Sequence, residues 1–238
     1  MINKKKNHKN TNGRRILLLS ILCLFGFCLL AQVRPQRNAA QPAKSKVYLL
    51  HSDVLKKSKD NSDAQILVGD VSFRHDSIYM YCDSACFYEK TNSLEAFHNV
   101  KFVQGDTLFL YGDYLFYDGN TQLAKVRSNV RMENRTITLT TDSLNYDRVA
   151  NLGYFFDGGT LMDEENVLTS DWGEYSPATK LSVFNYEVQL VNPKFTLKSD
   201  TLRYNTDTKI ASIVGPSDID SDENHIYSEL GFYYTQQG

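Results

Sequence analysis

The stretch Leu108-Phe109-Leu110-Tyr111-Gly112-Asp113-Tyr114-Leu115-Phe116-Tyr117 sets alternating apolar side chains on either side of one aspartate. Its pattern returns along the chain at a nearly constant interval. Asp53, Asp83, Asp113, Asp142, Asp171, Asp200 and Glu229 follow one another at separations of 30, 30, 29, 29, 29 and 29 residues. Four positions after the acid stands an aromatic ring: Phe87, Tyr117, Tyr146, Tyr175, Tyr204 and Tyr233, with Lys57 replacing it in the first unit. Five and three positions before the acid the residues are mostly apolar, as in Ile78 and Met80, Ile137 and Leu139, or Phe195 and Leu197. Two positions after it come Leu55, Ala85, Leu115, Leu144 and Leu202, with Gly173 and Gly231 as exceptions. A fixed period carried by several positions at once marks a repeat architecture.

Within each half of the motif the apolar residues lie two apart, which is the period of a strand and not of a helix. Across the acid the spacing is odd, so a flat strand would send the two halves to opposite faces of its sheet. A bulge or corner at the acid restores the phase and bends the strand so that both halves face one interior. Gly112 and Gly173, beside the acids, fit such a corner. Turn residues fall between the bent strands, at Asp118-Gly119-Asn120, Glu133-Asn134-Arg135, Asp147-Arg148, the segment 163–166, Asn192-Pro193 and Asn205-Thr206-Asp207. The strands returning between them bring their own apolar pairs: Leu152 with Tyr154, Leu181 with Val183, Val188 with Leu190. The expected fold is all-β: an open, V-shaped antiparallel β-jellyroll, solenoid-like, stacked from hairpins of about 29 residues with the apolar side inward.

The first 31 residues differ in kind. Six lysines and arginines, without one acid, precede an uncharged apolar run from Ile16 to Ala31. This is an export signal. The run is shorter than the roughly 20 residues of a membrane span, which favours cleavage over retention as an anchor, while Leu29 and Ala31 make an incomplete cleavage motif. Both outcomes stay open. Residues 32–46, with Pro35 and Pro42, form a flexible linker, and 47–238 form the repeat domain. The chain stops soon after the seventh acid, which leaves either an open final edge or a continuation in a longer protein. Without residues 1–31, 20 basic residues face 28 acidic ones, so a basic nucleic-acid-binding face is disfavoured.

No phosphate loop, nucleophile elbow, dinucleotide fingerprint or HExxH motif occurs, so no enzyme, cofactor or metal site is expected. His51, His75 and His98 sit at unrelated offsets from the repeat acid, unlike a ligand set. Cys82 and Cys86, four apart on a strand, are too distant for a disulfide unless the corner folds them together, and read as small apolar residues. The repeated acids lack the glycine-rich spacing of stacked calcium sites and are read as acceptors for backbone N–H groups freed at the bend. The apolar interior has two readings, a dry core or a slot roughly 60 Å long that suits acyl chains.

These repeats, above all Gly105-Asp106-Thr107-Leu108 through Tyr117, Thr141-Asp142-Ser143-Leu144-Asn145-Tyr146 and Ser199-Asp200-Thr201-Leu202-Arg203-Tyr204, resemble the OstA-like family of periplasmic lipopolysaccharide-transport proteins. The resemblance runs over residues 47–234. It implies a non-enzymatic periplasmic protein, with inner-membrane anchoring as the alternative, that carries the lipid A acyl chains in an apolar groove. It further implies partners: lipopolysaccharide itself, other jellyrolls of a transport bridge stacked edge to edge, and transport complexes of the inner and outer membranes. Carried over position by position, the groove lining is Ile78, Met80, Phe87, Leu108, Leu110, Leu115, Tyr117, Ile137, Leu139, Leu144, Tyr146, Leu168, Tyr175, Phe195, Leu197, Leu202 and Tyr204. The competing expectation is a structural or adhesive solenoid with a dry core, binding a protein or glycan through its outer surface.

Overall fold

In the computed structural model, which describes residues 45–58, 63–222 and 224–236, the repeat becomes one antiparallel sheet of sixteen strands. The expected export segment, and the expected linker up to residue 44, lie outside the described residues. The first strands are β1 (Tyr48–His51), β2 (Val54–Lys57), β3 (Gln65–His75), β4 (Ile78–Tyr88), β5 (Ser93–Gln104), β6 (Leu108–Asp118), β7 (Leu123–Asn134) and β8 (Ile137–Asp147). They continue as β9 (Leu152–Phe155), β10 (Gly159–Asp163), β11 (Asn166–Ser170), β12 (Trp172–Tyr175), β13 (Leu181–Asn192), β14 (Phe195–Asn205), β15 (Ile210–Ser221) and β16 (His225–Tyr234). Three long strands are interrupted at the bend: β1 and β2 both pair with β3, β9 and β10 both pair with β8, and β11 and β12 both pair with β13.

The corner works as the odd spacing requires. In β6, Leu108, Leu110 and Gly112 point inward, Asp113 is exposed, and Leu115 and Tyr117 point inward again. The extra residue that makes the bend sits opposite the acid, on the returning strand. Phe97 pairs with Tyr114 and Val100 with Gly112, so His98 and Asn99 together face Asp113. Such pairs recur in the left-handed backbone region, as Gly69 and Asp70, His98 and Asn99, Ser128 and Asn129, Tyr186 and Glu187. A two-for-one bulge of this kind bends the ladder without breaking it.

That geometry corrects two expectations. A returning strand needs an even spacing across its bulge, Ala96 to Val100 or Phe184 to Val188, so its inward residues cannot be counted as on the acid strand. Leu152, Tyr154, Leu181 and Val183 therefore face outward, and Gly153, Phe155, Ser182 and Phe184 face inward. Val188 and Leu190 point inward as expected. Gly112 and Gly173, in turn, are not at positive φ. They are needed for space: a Cβ on Gly173 would lie 2.5 Å from the Phe155 ring, and one on Gly112 2.5 Å from Val126.

The bend divides every repeat into two arms, one before the acid and one after, and the inward residues of both arms form a single apolar cluster. Rings meet across it, with Phe73 5.5 Å from Phe87 and Phe102 6.0 Å from Tyr146 between centroids. At one end of the stack, among the described residues, β16 pairs with β15 alone, and Leu230 and Phe232 are 82 % and 72 % exposed. At the other end Leu55 faces inward beside Leu67 but is itself uncovered.

Candidate functional site

Every residue of the expected lining faces the space between the arms, and none is more than 5 % exposed. The returning strands supply a second set that the sequence reading passed over: Leu67, Phe73, Leu94, Phe102, Met132, Phe155 and Phe184 are equally buried. Only the even spacing across each bulge would have revealed them.

Two rims bound this interior. Along the corner rim stand the repeated acids. Asp83 and Asp113 are exposed, and they accept hydrogen bonds from the side-chain amides of Asn99 (2.8 Å) and Asn129 (2.6 Å), the left-handed residues opposite them. The expected backbone donors are engaged elsewhere, because bend N–H groups reach neighbouring carbonyls, Asp53 to Gly69 and Asp171 to Tyr186. The histidines are scattered: His51 is exposed beside Asp53, His98 is an exposed bulge residue, and His75 is buried at the opposite rim. Cys82 and Cys86 are free thiols, and burial pushes the Cys82 pKa up to about 11.

The opposite rim is the mouth of the V, where the hairpin turns of the two arms face each other. Here the repeated tyrosines end. The Tyr117 hydroxyl lies 2.6 Å from His75 Nδ1, and Tyr146 donates to Asn151 at 3.2 Å and Gln104 at 3.4 Å. Tyr175 donates to Asn134 at 3.1 Å, and Tyr204 to Asp163 at 2.7 Å. Except for Asn151, each partner belongs to the other arm, 41 or 42 residues earlier for His75, Gln104, Asn134 and Asp163. These four form a register of their own, one per repeat at the end of β3, β5, β7 and β10. A third register comes from left-handed turn residues of the second arm: Asn151, Lys180 and Lys209. Lys180 donates to Asn134 at 3.0 Å, and Lys209 forms an ion pair with the fully buried Asp163.

Proton positions follow from the donors. Ser45 gives its proton to Asp76 at 3.0 Å, so it accepts from His75 Nε2 at 2.5 Å, which leaves Nδ1 to accept from Tyr117. Burial favours this neutral ring and lowers the His75 pKa. Burial works against the Asp76 carboxylate, but hydrogen bonds from Arg148 and Ser45 hold its pKa below the ordinary range. The Tyr146 hydroxyl is pushed up to about 12 by burial, and Tyr117, Tyr175 and Tyr204 are raised for the same reason. All four are donors at any physiological pH.

The inward residues form one continuous apolar strip, closed at the mouth by tyrosine hydroxyls. Among known families, a model described as OstA-like protein matches residues 44–200, well over half of the chain. The chain belongs to the OstA-like family. This is a family of transport proteins and not of enzymes. In this OstA-like chain the matched region ends within β14, at residue 200, and β15 and β16 lie beyond it. Among solved structures, the chain is similar to a crystal structure of LptH, described as the LptA-homologous periplasmic component of the conserved lipopolysaccharide transport device from Pseudomonas aeruginosa. The likeness is 14 % in identity with a TM-score of 0.25, over 56 % of this chain and 79 % of that one. No curated protein matches the chain.

Proposed function

We propose that this protein is a non-enzymatic carrier of the periplasm that takes lipopolysaccharide from the inner toward the outer membrane, with the acyl chains of lipid A held between its arms. The observation that carries this reading is the uninterrupted apolar interior shared by every repeat from β3 to β15. An acyl chain gains about 0.8 kcal/mol per methylene on leaving water, so such an interior retains one without any chemistry. Among the described residues the strands pass from one arm to the other only at the corner, which leaves the mouth as the side where lipid enters. Like jellyrolls stack on the two ends of the sheet, where β16 offers an unpaired edge and Leu55 an uncovered inward face.

Complete burial of the lining supports a second reading, a scaffold whose core stays dry and whose outer surface binds a protein or glycan. One experiment separates them. A photo-crosslinking amino acid is placed at Leu110, with exposed Arg203 as control, and intact exporting cells are illuminated. A lipopolysaccharide-sized adduct at Leu110 alone is the expected result. Folded, exported protein with no adduct at either position would leave the dry scaffold as the better account.

A further inference from the structure

The mouth is held differently from the rest of the molecule. Each arm is knitted by backbone ladders, and the corner joins the arms through continuous or briefly interrupted strands. Across the mouth most of the described contacts are between side chains, tyrosine to histidine, glutamine, asparagine or aspartate, with Arg148 reaching Asp76 beside them, and at one end the Asn92 side chain accepts from the Val47 N–H and donates to the Ser45 carbonyl. Parting the arms therefore breaks no ladder. It rotates them about a rim already bent by bulges and left-handed residues, and it costs the mouth pairs together with the apolar contact beneath them.

The position of the hydroxyls says what replaces them. Each tyrosine ring lies in the apolar layer and its oxygen in the polar rim, the amphipathic placement this side chain favours at a boundary between oil and water. An acyl chain seated between the arms would bring the start of its own chain to that level, where an ester or amide carbonyl and a hydroxyl join the hydrocarbon to its head group. We propose that the tyrosine row is an exchangeable latch: in the empty protein its hydroxyls bond across the mouth, and with an amphiphile inside they bond to the carbonyls and hydroxyls at the head of the acyl chains. The partner amides of Gln104 and Asn134 turn to the same groups. One such station recurs per repeat, about 10 Å apart at two strands per repeat.

This inference rests on the carrier reading, and its test keeps the two apart. The full exported chain is compared with a Tyr146→Phe/Tyr175→Phe variant, in which both rings stay and two hydroxyls go. Three probes are used: N-phenyl-1-naphthylamine, which has no carbonyl; dodecanoyl-N-methylglucamide, whose amide carbonyl heads a twelve-carbon chain; and dodecyl maltoside, of equal chain length without that carbonyl. The latch predicts dye uptake faster by roughly fivefold per hydroxyl removed, the scale of one net hydrogen bond. It also predicts that the affinity ratio of the amide amphiphile to the maltoside falls by a similar factor. Dye uptake at the same rate in both proteins would overturn the latch while leaving the carrier reading intact. Faster dye uptake with an unchanged ratio would show hydroxyls that lock without reading a ligand, and overturns the exchange. Dye excluded from both proteins would remove the groove itself, and the latch with it.

Discussion

The corner and the mouth carry the same 29-residue rhythm of polar side chains and use it in opposite ways. At the corner the acids are nearly uniform in type, exposed to water, and those with a side-chain partner take it from the surface nearby, as Asp83 and Asp113 take an asparagine, Asp53 His51, Asp200 Thr201 and Glu229 Tyr227. At the mouth the residues vary from histidine to glutamine, asparagine and aspartate, yet His75, Asn134 and Asp163 are buried, Gln104 is half-buried, and each is bonded to a tyrosine of the facing arm. Regularity in sequence thus marks a conformational need, a bend, and the energetic weight lies where residue type is free to vary as long as the hydrogen bond is kept. A buried polar group costs free energy when orphaned, and an exposed one costs little.

The sharpest way to break this comparison is at the buried ion pair. Lys209→Met leaves the fully buried Asp163 without its cation and is expected to destabilise the fold by about 3–5 kcal/mol in denaturant unfolding. Asp163→Asn added to it should restore most of that loss. A single-variant cost below about 1 kcal/mol would mean that the mouth holds no special weight. Next in size, Gly173→Leu restores the residue common at that place in the repeat but drives it into the Phe155 ring, at a cost of about 1–3 kcal/mol. Phe155→Ala in the same chain should recover part of it.

Tyr117→Phe removes one hydroxyl from the mouth and is expected to cost about 1 kcal/mol, measured by thermal or denaturant unfolding. The same latch gives stability a pH dependence. The groups facing His75 are Ser45, Asp76, Tyr117 and Arg148, and burial leaves its folded pKa below the unfolded value of 6.5. The unfolded chain then binds a proton that the folded chain refuses, so the stability present above pH 6.5 falls as pH drops below it. His75→Gln should flatten that slope, and an unchanged slope would place its origin elsewhere. Smallest of all, Asp113→Ala at the corner should change stability by no more than about 0.5 kcal/mol, because Asp113 is exposed to water and bonds a side chain, Asn129, that is itself exposed.

Much of the fold was legible because its signals are local. The apolar pairs around each acid gave the strands, and the turns at Asp118-Gly119-Asn120 and Asn192-Pro193 gave the hairpins within a residue or two. The inward set on the acid strands followed from period two alone. The returning strands were harder, since their bulges are formed by residues as unlike as His98-Asn99 and Tyr186-Glu187, which announce no left-handed backbone. The mouth register was invisible for a different reason. His75, Gln104, Asn134 and Asp163 share only a capacity to accept a hydrogen bond, and their partners stand one and a half repeats later in the chain. A pattern of chemistry without a pattern of residue type shows itself only when the arms are seen face to face.

The exchange of bulk at the middle of the stack decides where this protein could be cut and rejoined. Phe155 fills the space that Gly159 and Gly173 leave free, and Phe155 and Gly173 sit directly opposite each other on β9 and β12. A module excised at the mouth turn between β10 and β11 would send the ring to one recombinant and its matching gap to the other. A module excised at the turns of 148–151 and 176–180 keeps all three residues together. Lengthening or shortening the stack by whole hairpins is therefore expected to succeed at the second set of boundaries and to fail at the first, although both sets are equally regular in sequence.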